Sequence, residues 1–274
     1  MPEGDTVFRT ARMLDATLTG HQLTKSDFRV PQCATLDLTG YPVESVASRG
    51  KHLLIRVADL TVHTHLMMDG RWDVYAPGER WRTPAHKVRC VLANDSFEAI
   101  GVDLGLLRVF PTRLEHKAVG HLGPDPLGHA WDPEEVRERI LMRPDLPIGL
   151  SLMDQRNLTG IGNIYRSETL FITKVHPLMP VGAMPDLARI IERCFLLLHA
   201  NKDRNRRKTT PTELTDPYWV YQRTGRPCYL CQTPIEQMPL GPPEKDQERL
   251  AFFCPTCQPV PYREQTEPAA ATAV

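Results

Sequence analysis

Three groups in this 274-residue chain have residue types suited to chemistry. The first is its start. Pro2 follows Met1, and a small second residue permits removal of that methionine, which would leave proline with a free secondary amine. An α-amino group titrates near ~8 and a lysine near ~10.4, so at neutral pH far more of the former is unprotonated and able to attack an electrophilic carbon. Attack on an aldehyde or a sugar C1′ gives an iminium ion, a fixed positive charge that serves as an electron sink, and Glu3 stands beside it to move protons. A plainer reading of the same residues is a common Met-Pro start whose acids cap a helix. The second group is Lys51, set by Arg49-Gly50 at the entrance to a strand, where an ammonium either donates a proton or grips a phosphate, or merely ends a strand in solvent. The third is the pair Cys228-x-x-Cys231 and Cys254-x-x-Cys257, 22 residues apart. Four thiolates satisfy tetrahedral Zn2+ and leave no open position for water, so the site they imply is structural.

Further residues suit a polyanion. Gly160-Ile161-Gly162-Asn163 permits consecutive tight turns before a helix whose first N–H groups bind phosphate, with the Asn163 amide as an added donor. Asn201 to Lys208 is the densest basic run and, followed by polar residues up to Pro217, reads as an exposed loop able to track phosphates. Arg249 sits near the turn of a hairpin between the cysteine pairs, where it can reach a groove or a phosphate. Met67 and Met68 lie at a loop tip before Asp69-Gly70; flexible apolar side chains there are either core filler or a wedge for a base stack.

The elements that must position these groups follow from periodicity. Val7, Ala11, Leu14 and Leu18 form a helical stripe over 5–18, stopped by Thr19-Gly20. Between 22 and 112 the period falls to two, with strands at 43–46, 53–57, 62–66, 72–74, 88–92 and 107–109, a pattern expected of a β-sandwich. The Pro- and Gly-rich stretch 121–131 is a linker. Asp132-Pro133-Glu134-Glu135 then starts a helical region with helices at 133–142, 148–157, 163–172 and 186–200. The domains expected are 1–120, 132–222 and 223–260, with a disordered tail over 261–274. No apolar run of membrane-spanning length and no signal-peptide pattern occur, which predicts a cytoplasmic protein, nucleoid-associated if it binds DNA. Lys+Arg and Asp+Glu are 33 each, so global charge decides nothing about nucleic acid and only local clustering informs.

Taken together, Pro2-Glu3-Gly4, Arg49-Gly50-Lys51, the element from Asp154-Gln155 to Gly160-Ile161-Gly162-Asn163, and the four-cysteine finger entered through Val220-Tyr221-x-Arg223-x-Gly225-x-Pro227-Cys228 resemble the formamidopyrimidine-DNA glycosylase and endonuclease VIII family, in that family's order and over residues 1 to about 258. The resemblance implies an α+β multidomain fold: an N-terminal β-sandwich, a helix–two-turn–helix domain and a zinc-finger β-hairpin. It implies a monomeric protein whose partner is damaged double-stranded DNA, and base removal followed by strand cleavage through β- and δ-elimination. Carried onto this chain, Pro2 is the nucleophile, Glu3 the acid/base and Lys51 the basic group at the reaction centre; Asn163 and Arg249 hold phosphates, and Met67 and Met68 fill the void left by the flipped nucleotide. Two departures bear on substrate. Asp5-Thr6 stands where the family carries proline and glutamate, and Val102-Asp103-Leu104-Gly105-Leu106-Leu107 replaces the arginine- and phenylalanine-bearing stretch of the oxidised-purine branch. Both lean toward the endonuclease VIII branch, similar to actinobacterial members, and toward oxidised pyrimidines. The alternatives are a glycosylase for oxidised purines or a family member that binds damaged or single-stranded DNA without catalysis.

Overall fold

A computed structural model describes residues 2–241 and 249–260. The expected tail at 261–274 and the state of Met1 lie outside the described residues. The chain opens with α1 (Gly4–Leu18), whose buried Val7, Ala11, Leu14 and Leu18 pack on two four-stranded antiparallel sheets. One sheet runs β2 (Val43–Arg49), β3 (His52–Val57), β4 (Leu60–His65) and β8 (Leu106–Pro111). The other runs β1 (Lys25–Phe28), β6 (Val88–Ala93), β7 (Glu98–Val102) and β5 (Arg71–Tyr75). Leu53, Ile55 and Val57 alternate inward from β3 to meet Cys90 and Leu92 of β6, so the core lies between the sheets as period-two patterning requires. The outward residues of β3 and β4 include His52, His63 and His65, of which His52 stacks on His63 and meets His65 edge-on.

A short helix, α2 (Glu115–Val119), ends the sandwich, and the segment after it is buried from Leu122 to Pro126. The helical half holds α3 (Pro133–Leu141), α4 (Ile148–Ser151), α5 (Asn163–Thr173) and α6 (Leu187–Asn201) around Ile140, Leu152, Leu158, Tyr165, Ile191 and Leu198. Asp132 caps α3 as expected, accepting from the N–H groups of Glu134 and Glu135 with Pro133 in the first turn. The expected helix 148–157 stops at Ser151. Asp154 and Asn157 account for this: Asp154 Oδ1 accepts from the Arg156 N–H at 3.0 Å and Asn157 Nδ2 donates to the Ser151 carbonyl at 3.1 Å, replacing helical bonds by side-chain turns. The chain closes with a hairpin of β9 (Glu236–Leu240) and β10 (Arg249–Phe253). Phe252 packs there with Phe171 of α5, Val220 and Ile235. No helix among the described residues is long and apolar enough to cross a membrane.

Candidate functional site

Glu3, the residue before α1, is fully buried. Its Oε1 accepts from the Ile164 N–H at 2.8 Å, and its Oε2 accepts from the N–H groups of Gly162 at 2.9 Å and Tyr165 at 3.4 Å. These are the donors that the first turn of α5 leaves without intrahelical partners, and the positive end of the helix favours a carboxyl group there. The helix end expected to take a phosphate is therefore occupied by a side chain of this chain. Glycine is what admits it: a Cβ on Gly162 would lie 2.5 Å from Glu3 Cδ. One residue on, the Gly4 N–H donates to the Gly160 carbonyl at 2.9 Å, an approach so close that a Cβ on Gly4 would meet Gly160 Cα at 3.0 Å. Half-buried Pro2 is thus anchored from both following residues to the loop ahead of α5.

Lys51 reaches the same loop from the sandwich. Its Nζ donates to the Ile161 carbonyl at 2.6 Å, and Gln155 Nε2 donates to that carbonyl at 2.9 Å. Burial pushes the ammonium below the usual lysine range, Glu3 pulls it back up, and Arg207 adds to the depression. The turn that aims Lys51 has Gly50 at φ +58°, a left-handed backbone, with its Cα side closed by Thr159. Buried Asp125 holds it: Oδ2 accepts from the Gly50 N–H at 2.7 Å while Oδ1 accepts from the Leu127 N–H at 3.0 Å. Arg49 donates to the carbonyls of Leu122 and Gly123 at 3.3 and 2.8 Å. The stretch expected to be a plain linker is therefore the backing of the Lys51 turn. Nothing in its Pro- and Gly-rich composition distinguishes Asp125 from a solvated turn residue.

The Asn163 side chain turns to the hairpin strand that begins at Arg249. Asn163 Nδ2 donates to the Leu250 carbonyl at 3.1 Å, and its Oδ1 accepts from Arg166. Arg166 is buried and also donates to the carbonyl of Leu250 at 3.1 Å; desolvation pushes its pKa down to about 10. Between the helical half and the hairpin lies a cavity of about 630 Å³ whose lining includes Arg143, Arg156, Arg166 and Arg249, with His121 from the sandwich side. Arg156 is paired with Asp154 on the same lining at 2.8 Å, so the cleft keeps an excess of three guanidiniums, a local cationic clustering that net charge concealed. Met67 and Met68 protrude between β4 and β5, 50% and 60% exposed, with Met67 at φ +55°. Next to them His65 Nδ1 accepts from the Met67 N–H at 2.9 Å, and His52 Nδ1 faces His63 Nε2 at 2.9 Å. Burial, reinforced by neighbouring charges, pushes His52 down to about 3 and His63 and His65 down to about 4.

Two residues that sequence patterning did not single out tie these parts together. Glu168 of α5 is fully buried and accepts from the N–H groups of Trp219 at 2.7 Å, Val220 at 3.0 Å and Tyr221 at 2.9 Å, and from the Thr209 hydroxyl. It fixes the entry to the hairpin on the same helix whose start holds Glu3. Arg207 is the other. The basic run expected to be solvated has this member only 7% exposed, paired with Asp5 of α1. No local pattern signals either contact, because the partners are 41 to 202 positions away.

The four sulfurs of Cys228, Cys231, Cys254 and Cys257 lie within 4.8 Å of one another. Their recorded separations of 3.4 to 3.9 Å bracket the ~3.8 Å that four Zn–S bonds of ~2.3 Å give in a tetrahedron. Backbone N–H groups of Leu230 and Cys257 point at the sulfurs of Cys228 and Cys254 at 3.4 and 3.5 Å, as anionic sulfur needs. Gln258 Nε2 ties the cluster to the end of α5 through the Val175 carbonyl at 2.7 Å.

Comparison with known proteins agrees with this arrangement. The family model of the formamidopyrimidine-DNA glycosylase N-terminal domain matches residues 1–104, and that of the formamidopyrimidine-DNA glycosylase H2TH domain matches residues 122–191. The chain is 48% identical to a probable endonuclease 8 2 of Streptomyces coelicolor over 95% of each chain. It is 41% identical to the DNA-(apurinic or apyrimidinic site) lyase Nei2 of Mycolicibacterium smegmatis, over 94% of this chain and 99% of that one. In fold it is similar to MutM solved in complex with DNA containing carbocyclic 8-oxo-G, with a TM-score of 0.78 at 20% identity over 94% of this chain and 100% of that one.

Proposed function

The chain belongs to the formamidopyrimidine-DNA glycosylase and endonuclease VIII family, on its endonuclease VIII side, and from that premise we propose that it is a base-excision-repair DNA glycosylase with abasic-site lyase activity. The observation that carries the reading is the convergence of Glu3, beside the Pro2 amine, and Lys51 on one three-residue loop, Gly160 to Gly162, with an arginine-lined cleft next to it. A damaged nucleotide must leave the stack before an amine can reach C1′, and a lesion lowers the cost of that flip. Pro2 nitrogen attacks C1′, the glycosidic bond breaks, and the base leaves with the bonding pair. Glu3 relays the proton that the attacking amine gives up to the ring oxygen as the C1′–O4′ bond breaks and the deoxyribose opens, leaving the iminium between C1′ and Pro2. The acidified C2′ proton is then removed and the C3′–O bond breaks by β-elimination; a second elimination releases the 5′ phosphate. Lys51 is the basic group at the centre, Asn163 and Arg249 hold the kinked backbone, and Met67 and Met68 fill the vacated space.

The missing purine-branch stretch at 102–107 supports oxidised pyrimidines and abasic sites as substrates. Cys228, Cys231, Cys254 and Cys257 would hold one Zn2+, which supplies rigidity to the hairpin and no open coordination position. The domains proposed are 1–120, 132–222 and 223–260, acting as a monomer in the cytoplasm at the nucleoid. Borohydride reduction tests the reading. It traps a covalent complex with an abasic-site duplex when Met1 is removed, and Pro2→Gly with an uncleaved N-terminal tag traps none; a complex that survives the tag overturns the assignment of Pro2.

A further inference from the structure

The segment after α6 folds back onto the first turn of α1 through Arg207. Its Nε donates to Asp5 Oδ2 at 3.0 Å, and its Nη2 donates to Asp5 Oδ1 and to Thr6 Oγ1, the latter at 3.1 Å. The guanidinium lies 5.0 Å from the centroid of the Tyr165 ring, and Tyr165 is one of the three residues whose N–H groups hold Glu3. Asp5, fully buried, takes a second cation in Arg9 at 3.3 Å, which in turn donates to the Asn201 carbonyl at 2.9 Å. A fork of two N–H bonds on one carboxyl fixes orientation as well as charge, and arginine carries its charge at every accessible pH.

We propose that Arg207 is a positioning residue for the Pro2 amine: it clamps the turn that carries the amine and supplies a permanent positive charge that favours the amine's neutral, attacking form. The inference rests on Pro2 being the nucleophile. Around that turn Glu3 precedes α1, α1 contributes Asp5 and Arg9, and the β2–β3 turn contributes Lys51. From α5 come Tyr165 and Arg166, and Arg166 spends its guanidinium on Asn163 and Leu250. Tyr218 and Tyr221 face the same carboxyls from the approach to the hairpin. Burial holds all three tyrosines above the usual phenol range, so they add no charge near neutrality. The field of Arg207 extends to Lys51, whose ammonium it helps to depress after burial has done most of the work. Its replacement by a neutral residue leaves the carboxyls with fewer cations, and an amine beside them holds its proton to higher pH.

The test is the pH dependence of borohydride trapping by the processed full-length protein on an abasic-site duplex. Loss of one nearby unit charge raises the trapping midpoint by about one pH unit in Arg207→Gln. Asp5→Asn moves it the opposite way. The double variant Asp5→Asn/Arg207→Gln, which removes the pair together, returns it to the wild-type position. Arg207→Lys keeps the charge and loses the fork, so its rate falls while its midpoint stays. A fall in rate with no shift of midpoint in either Arg207→Gln or Asp5→Asn overturns the proposal and leaves Arg207 a structural clamp. Should one of these fail to fold, the other alone decides, because each has its own predicted direction. Absence of trapping by the wild type at every pH would instead remove the reading of Pro2, a distinct outcome.

Discussion

Glu168→Gln separates what holds the hairpin on the helical half from what holds the hairpin together. In the wild type Oε1 accepts from the Val220 and Tyr221 N–H groups, and Oε2 accepts from the Trp219 N–H and the Thr209 hydroxyl. An amide of the same shape keeps one acceptor oxygen for Val220 and Tyr221. Thr209 can reverse its hydroxyl and accept from the new NH2, because its oxygen also lies 3.2 Å from the Pro217 carbonyl and can donate there. Trp219 has no such escape, since its N–H then faces two further hydrogens. One orphaned donor costs about 1–3 kcal/mol, and loss of charge assistance in the remaining bonds adds about 1 kcal/mol. Relief of the carboxyl's own burial, which pushes its pKa upward, works in the other direction and brings the sum of about 2–4 kcal/mol down to ~1–3 kcal/mol. Because the lost contacts join α5 to the segment 219–221, the deficit belongs to the docking of the hairpin. The assay is urea unfolding of the zinc-loaded protein followed in parallel by tryptophan fluorescence and by release of zinc to a chromogenic chelator. The variant should release zinc at lower urea than the wild type, ahead of sandwich unfolding, and lose strand nicking in step. Zinc release within ~0.5 kcal/mol of wild type would refute the reasoning that Glu168 is the latch.

Gly50→Ala places a side chain at φ +58° with its Cβ 2.1 Å from Thr159 Oγ1, so a loss of about 2–5 kcal/mol from left-handed strain and overpacking is expected, read by thermal unfolding, together with loss of trapping. Met68→Ala, at a 60% exposed position, should change stability by under ~0.5 kcal/mol yet reduce nicking of an abasic-site duplex about tenfold. The same variant should cleave a single strand bearing that site at the wild-type rate, where no void needs filling; an equal loss on both substrates would argue against a wedge. The histidines give a pH dependence with a definite sign. Folded pKa values near 3 for His52 and near 4 for His63 and His65 lie below the unfolded ~6.5, so the stability they contribute is present above pH ~6.5 and is lost as pH falls toward 4. Each can add up to ~1.4 kcal/mol per pH unit to the slope, less for solvent screening, and His63→Asn should flatten the fall of the urea midpoint between pH 6.5 and 5.

The parts legible in the sequence were those whose meaning is local. The glycine that turns the chain ahead of Lys51 and the cysteines in pairs are placed by type and spacing, and α1 and the alternating strand β3 by period. Two strands were not legible for opposite reasons. The Glu98–Val102 strand is central and buried along most of its length, so it shows no alternation and carries a glycine, whereas the Lys25–Phe28 strand lies at a sheet edge and is largely polar. The contacts that complete the site were hidden for a third reason. Asp125 and Arg207 lie in stretches that composition assigns to a linker and an exposed loop, Glu168 lies on a helix, and each is buried because a partner arrives from elsewhere in the chain: Gly50, Asp5 and the segment 219–221, respectively. Period and spacing carry no information about such pairs.

These distant pairs also bear on how the reaction centre is divided. Glu3 cannot serve as a freely moving acid/base, because both its oxygens are held by the N–H groups at the start of α5. Oε2 already accepts from both Gly162 and Tyr165, whereas Oε1 accepts only from Ile164 and retains a lone pair, and that is the position from which a proton can pass to a ring oxygen. Any displacement of α5 therefore displaces Glu3. The same helix carries Asn163 and Arg166 toward the hairpin at its first turn and Glu168 toward the hairpin's entry one turn later. A phosphate drawn into the arginine-lined cleft would pull on Arg166, and through the same helix on the carboxyl beside Pro2. Docking of the hairpin and alignment of the Glu3 carboxyl are therefore expected to be one equilibrium. Glu168→Gln, which weakens the first, should slow trapping at saturating DNA as well as weaken DNA binding. A variant whose binding weakens while trapping at saturation stays at the wild-type rate would show the two to be independent.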